Sequence, residues 1–251
     1  MVLPVTEVVY ITLKSNVELE AEPAAHIWQE TLSTIASQVG YVGQCYGRQY
    51  ENPATLMLLI GSCSQQESVY KLIATDWTSL DEHSDFINSP IYKPFVEKLK
   101  GIAEDIYFYH MKSKPFPPSI LTKAPCVEVA TLYNAHEGLG DNVEKFKSAM
   151  DEGMPEGYYG SAFGEVVEDV VRPKEGAVKG RALVLLLGWE SKEAHIKFRD
   201  TELFKKNIGL LREKNGGAEM VSFALWMLGV MLTLGSFMFH LKVYEARDED
   251  Y

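Results

Sequence analysis

Trp77-Thr-Ser79-Leu-Asp-Glu-His83-Ser-Asp-Phe86 is answered later in the chain by Trp189-Glu-Ser191-Lys-Glu-Ala-His195-Ile-Lys-Phe198. Trp, Ser, His and Phe recur at the same offsets, 112 residues apart. Self-similarity of this kind is read first, because a missed repeat misreads the fold. An apolar run precedes each copy, at 69–74 and at 182–187, and is expected as a strand. Each serine is expected to open a helix. Ser79 and Glu82 have the spacing of a capping box, in which both side chains bond the first free N–H groups. His83 and Phe86 are three apart and share a helix face, as do His195 and Phe198.

Outward from this stretch the rest of the chain also doubles. Gly40-Tyr41-Val-Gly43-Gln-Cys-Tyr46-Gly47 is matched by Gly157-Tyr158-Tyr-Gly160-Ser-Ala-Phe163-Gly164, at an offset of 117. A helix precedes and a strand follows, the reverse of a dinucleotide-binding loop, so these glycines suit a tight helix exit and strand entry. Residues 6–14 read as a strand. Residues 23–38 read as a helix with Ile27, Trp28, Leu32 and Ile35 at helical spacing and Pro23 at its start. Further helices are expected at 91–99, with Phe95 and Val96 inward, and at 203–211, with Phe204. The strand 103–112 puts Ile106, Phe108 and His110 on one face. Four prolines between Lys114 and Pro125 make an extended linker. The expected units are 1–118 and 119–251. Each is β-α-β-β-α-β, so the fold class is α+β, two tandem ferredoxin-like units.

The second unit carries an anomaly. Ala218-Glu-Met220 begins the expected last strand and Ser236-Phe-Met-Phe-His240-Leu-Lys242 ends it, with an apolar insertion, 221–235, between them. The uncharged run 221–239 has about the length of a membrane span. Three readings stand: a membrane anchor, a buried or partner-facing insertion, and an unspliced intron in the gene. The third restores the repeat in register and is favoured.

Composition narrows the rest. The 251 residues are 46% hydrophobic and 24% charged, with a net charge of −11. An acidic chain without a basic stripe lacks the phosphate neutralisation that nucleic-acid binding requires, so no nucleic-acid partner is expected. Three scattered cysteines, Cys45, Cys63 and Cys126, form neither a disulfide framework nor a metal-spaced cluster. The N-terminal residues lack the pattern of a signal peptide, and a cytoplasmic location is expected. No hydrolase, P-loop or zinc motif is present, and neither cofactor nor metal is expected.

A duplicated β-α-β-β-α-β unit, with an apolar strand running into Trp-x-Ser and a His-bearing helix, resembles the antibiotic-biosynthesis-monooxygenase-like group of dimeric α+β barrel proteins. The tandem form resembles fungal members of that superfamily. The resemblance implies two ferredoxin-like sheets packed face to face in one chain, as an intrachain pseudo-dimer, either monomeric or homodimeric. It also implies a cavity between sheet and helices. Some members oxidise polyketide-like phenols with molecular oxygen and neither metal nor flavin; others degrade haem with an Asn, Trp and His set. Here the position nine after each tryptophan holds Phe86 or Phe198 and the histidine stands at six, so no catalytic role is carried over.

The candidate site residues follow from residue type. His83 and His195 are candidate general bases, weighed against half-exposed residues completing a helix start. Trp77 and Trp189 read as core. His110 and His240 stand on apolar strand faces and are either satisfied core histidines or partners of a phenol. Tyr41, Tyr46 and Tyr158, with Phe108 and Phe239, are candidate walls of an aromatic pocket, weighed against plain packing. The function expected is a cofactor-independent monooxygenase acting on a small aromatic or polyketide-type molecule with molecular oxygen. The alternative is a small-ligand-binding or interaction protein of the same fold that lost the chemistry. A membrane contact, if any, is expected through 221–239.

Overall fold

The computed structural model describes residues 4–41, 43–60, 80–170 and 180–227. The first half contains β1 (Thr6–Leu13), α1 (Ala24–Ala36), β2 (Gln44–Gln49), β3 (Thr55–Ile60), α2 (Leu80–Ile87), α3 (Tyr92–Leu99) and β4 (Ala103–Lys114). A single 3₁₀ turn, Ser119–Thr122, lies in the proline-rich connection. The second half repeats the order with β5 (Cys126–Tyr133), α4 (Leu139–Gly153), β6 (Tyr158–Val166), β7 (Ala182–Trp189), α5 (Lys192–Phe198), α6 (Glu202–Arg212) and β8 (Gly217–Met227).

The described strands close into an antiparallel barrel in the order β1-β3-β2-β8-β5-β7-β6-β4. Within each half the four strands form one sheet. The seams are β2 with β8 and β4 with β6, at matching places in the two halves. Closure leaves no open sheet edge to template aggregation. The chain has the α+β architecture of two tandem ferredoxin-like units, as the repeat implied, sharing one barrel, as the resemblance implied.

Strand alternation sorts side chains to two sides of each sheet. Val8, Met57, Leu59, Val127, Val129 and Phe223 belong to the core enclosed by the barrel. The same interior holds Tyr10, Tyr107 and Tyr109, whose ring centroids are about 6 Å apart. Tyr109 Oη lies 3.4 Å from both Tyr10 Oη and Thr131 Oγ1, so this buried hydroxyl is satisfied. On the outer face of the first sheet, Val9, Ile11, Leu56, Leu58 and Ile60 meet Trp28, Leu32 and Ile35 of α1 and Phe86 of α2. Outside the second sheet, Leu132, Leu183, Leu185 and Trp189 meet Val143 and Phe146 of α4 and Phe198 of α5.

Local signals hold where they can be seen. Ser191 caps α5 by accepting from Ala194 N–H at 3.2 Å. Gly40 and Gly157, matched in the repeat, both take left-handed backbone, with φ of 88° and 74°. At Gly157 a Cβ would also stand 2.8 Å from that of Ala194, so the chain's turn out of α4 requires glycine.

One expectation lies outside the described residues and another is corrected. In register, β3 at Thr55–Ile60 stands where β7 does: Glu7 pairs with Ile60 as Glu128 pairs with Leu187. The run 69–74, with Trp77 and Ser79, lies outside the described residues. All six residues of β3 are buried, and a run shielded on both faces is apolar throughout, with no alternation to announce it.

The correction concerns the part of 221–235 that is described, Val221 to Met227. Residues Val221 to Met227 do not interrupt the last strand; they continue it. Cys126 to Val129 pair with Ala224 to Val221, and Cys45 to Gln49 pair with Met227 to Phe223. This stretch closes the barrel as Met111 to Lys114 do at the other seam. Among the described residues no helix is long and apolar enough to cross a membrane. Residues 228–251, with Phe239 and His240, lie outside the described residues.

Candidate active site

Glu7 on β1, His83 on α2 and His110 on β4 converge on the outer face of the first sheet. All three are buried, at 5%, 4% and 3% exposure. Strand register places them: Glu7 is the direct partner of His110 across β1 and β4, so both side chains leave the sheet on the same side. The helix α2 crosses above them, and its fourth residue, His83, points down between them.

The contacts form a chain of titratable groups. His83 Nδ1 and His110 Nε2 are 2.8 Å apart. His110 Nδ1 is hydrogen-bonded to Glu168 Oε1, and the backbone N–H of His110 donates to Glu168 Oε2 at 2.9 Å. His83 Nε2 faces Glu7 Oε1 at 3.6 Å. Glu168 follows β6, so the second half of the chain supplies one end of a site whose other three members belong to the first.

Burial acts upward on the Glu168 carboxyl, but the hydrogen bonds from His110 side chain and backbone outweigh it and hold the group below the usual carboxylate range. An ionised Glu168 can only accept, so His110 Nδ1 carries a hydrogen and donates it. The other ring nitrogen of His110 shares one hydrogen with His83 Nδ1. Burial, and then the neighbouring His110, lower the His83 pKa to about 4. The imidazole is therefore neutral across the physiological range.

His83 and Glu7 border a cavity of about 340 Å³ between the sheet and the helices α1, α2 and α3. That volume lies in the range of small-molecule sites. Its walls are mainly apolar and aromatic: Phe86, Tyr92, Phe95 and Phe108 line it with Val9 and Ile11, and Thr31, Lys100, Glu104 and Asp105 add polar groups. Phe86 meets Tyr92 and Phe95 edge-on, at 5.2 and 5.4 Å. Phe108 meets the His83 ring edge-on at 5.7 Å. Such walls present both edges and faces to a flat aromatic guest.

The second half keeps part of this arrangement. Glu128 on β5 occupies the place of Glu7, and His195 Nε2 lies 3.2 Å from Glu128 Oε2. Glu51 occupies the place of Glu168, taking the N–H of Ser222 at 3.0 Å as Glu168 takes that of His110. The fourth member is missing, because the position of His110 is held by Ser222, the β8 partner of Glu128. The His195 ring stacks on Trp189, with centroids 5.5 Å apart. Burial, then the charge of Arg199, lower His195 to about 4. Burial raises the Glu128 carboxyl to about 7.

Of the sequence candidates, then, His83, His110 and Phe108 come together, and His195 stands apart in the other half. Tyr46 packs against Trp28, at 5.2 Å, and Tyr41 against the same first-half core, away from the cavity walls. Tyr158 lies in the second half, bonded to Asp151 at 3.0 Å and packed on Trp189 at 5.6 Å. Glu7 and Glu168 were not singled out from the sequence. Glu7 had a signal: a carboxylate inside an apolar strand, repeated at Glu128. Glu168 had only its place in the 117-residue offset that also relates Gly40 to Gly157.

No family model matches the chain, and no curated protein matches it. Solved structures do. An anthrone oxidase-like protein is 11% identical, with a TM-score of 0.62 over 89% of this chain and 91% of that one. A candidate monooxygenase from Lactobacillus acidophilus NCFM is 11% identical, with a TM-score of 0.52 over 89% and 94%. Another from Fusobacterium nucleatum is 13% identical, with a TM-score of 0.52 over 89% and 93%. The shared feature is the fold, an α+β barrel closed by two ferredoxin-like sheets.

Proposed function

We propose that the chain is an oxygenase for a small phenolic aromatic molecule, with His83 as the general base. The observation that carries this reading is the Glu168–His110–His83 chain ending on an aromatic-walled cavity. The His83 imidazole is neutral and borders the cavity, and in this reading its Nε2 carries the lone pair that takes the substrate's proton. A phenol seated against Phe108 gives its proton to His83 Nε2. The positive charge that forms is met by Glu7 at one edge and, through His110, by Glu168 at the other.

The deprotonated substrate, as its carbanion form, passes one electron to molecular oxygen. The resulting superoxide and substrate radical combine at carbon, and the proton held by His83 returns to the peroxide oxygen to give a hydroperoxide. Loss of water from that hydroperoxide leaves a carbonyl, so a CH2 group and O2 become C=O and H2O. The protein's part is to remove the proton, hold the anion and exclude bulk water. Likeness in fold to an anthrone oxidase-like protein agrees with this reading but does not carry it, since one fold hosts many reactions.

The test is oxygen uptake by the purified protein with a panel of hydroxylated anthrones. One O2 should be consumed per substrate. His83→Ala should lower kcat by about 10²-fold or more, the usual contribution of a positioned base. His110→Ala should also lower turnover while the melting curve stays cooperative. Saturable ligand binding with no oxygen uptake would replace this reading with the binding-protein alternative.

A further inference from the structure

We propose that Glu7, His83 and His110 form a binding site for one divalent first-row transition-metal ion. One ligand atom of each residue lies within 4.8 Å of those of the other two. All three side chains are buried, and among the described residues no other such group of three occurs.

The chemistry of the donors matches a transition ion. Two imidazole nitrogens and one carboxylate, with further positions open, are the set that first-row divalent ions take in oxygen-handling sites. The spacing matches too. His83 Nδ1 and His110 Nε2 are 2.8 Å apart. Two adjacent nitrogens on one octahedral ion, each at about 2.1 Å, stand about 3.0 Å from each other. The N–N separation hardly changes when the shared hydrogen is exchanged for an ion, while both rings turn so that their lone pairs converge on it.

The surroundings resemble those of built metal sites. A ligating histidine nearly always donates its other N–H to a carboxylate, which orients the ring and strengthens the donor. His110 does this toward Glu168, which also takes the backbone N–H of the same residue. Glu7 and Glu168 bring two carboxylates to the two imidazoles, while Lys100, Glu104 and Asp105 line the cavity besides its apolar walls. The open coordination positions face the cavity, since His83 and Glu7 border it. Sequence spacing gave no sign of this site because its ligands come from three separate elements, β1, α2 and β4.

The ion takes the lone pairs that the base mechanism uses, so the two readings part experimentally. The full chain, treated with chelator and dialysed, is titrated with Co2+ and the visible bands are recorded; Zn2+ is titrated by calorimetry. One ion per chain is expected. Glu7→Gln and His110→Ala should abolish saturable binding. Glu168→Gln, which changes a half-exposed side chain, should weaken it by about 10–100-fold. His195→Ala should change nothing, because Ser222 denies the second half its third ligand. Absence of one-to-one binding, or equal loss with His195→Ala, overturns the metal site and leaves the base mechanism standing. Zn2+ that binds and stops oxygen uptake supports both. Metal binding coupled to oxygen uptake only in the loaded protein supports the site and ends the metal-free mechanism.

Discussion

Glu7 and Glu128 hold equivalent strand positions, and each faces a histidine from the helix above. At Glu128, burial dominates and lifts the carboxyl from 4.5 to about 7, against the pull of Trp189 and Arg199 and with Glu51 adding to the rise. A carboxyl whose folded pKa is raised holds its proton more tightly when folded. Its contribution to stability is complete below about pH 4.5 and is lost as pH rises through about 7. The difference corresponds to roughly 3 kcal/mol. His195, lowered from 6.5 to about 4, works in the opposite sense, adding stability as pH rises across that interval. The two slopes largely offset each other in the native protein. Glu128→Gln isolates one of them, since Gln remains neutral. The variant and the parent should melt together near pH 5, and the variant should melt several degrees higher at pH 8. Equal Tm differences at both pH values would show that Glu128 is ionised throughout.

β8 is the element on which reading and structure diverged. The sequence aligns Ser236-Phe-Met-Phe-His240 with the end of β4 because His240 then answers His110. The barrel asks less: alternation, and enough length to reach β2. Val221 and Phe223 turn inward and Ser222 outward, which meets that need without a histidine. Phe223 is fully buried in the barrel interior. Phe223→Ala should cost about 3–5 kcal/mol, read as a drop in the denaturation midpoint. If 236–242 supplied the strand, as the intron reading requires, the loss at Phe223 would stay within about 0.5 kcal/mol. Elsewhere the elements were legible because their signals are local. Helical spacing gave α1, strand alternation put Phe108 and His110 on one face, and the serine before α5 caps it. β3 and the partners of His110 were not legible. A strand buried on both faces has no period, and Glu168 reaches His110 only through barrel closure, a contact across 58 residues.

The whole molecule is a duplication that has become unequal. A barrel of two identical units would carry two identical sites, each completed across the seam by the other unit. This chain retains the crossing carboxylates on both sides, Glu168 to His110 and Glu51 to Ser222. Only the first has an imidazole to orient. At the second, Glu51 also pairs with Lys192 at 3.3 Å, and Trp189 packs against His195, Phe198 and Tyr158. Replacing Ser222 alone would not restore the relay, because Trp189 and Phe198 already pack the space beneath α5. One ligand per chain is therefore expected, not two. Calorimetric titration with a hydroxylated anthrone should saturate at a stoichiometry of one. His195→Ala should leave affinity and stoichiometry unchanged, His83→Ala should weaken the single site, and Ser222→His should add no second one. Two equivalent sites in the parent protein, or a loss of half the sites in His195→Ala, would mean that the second half binds as well as the first and that the asymmetry at Ser222 has no functional consequence.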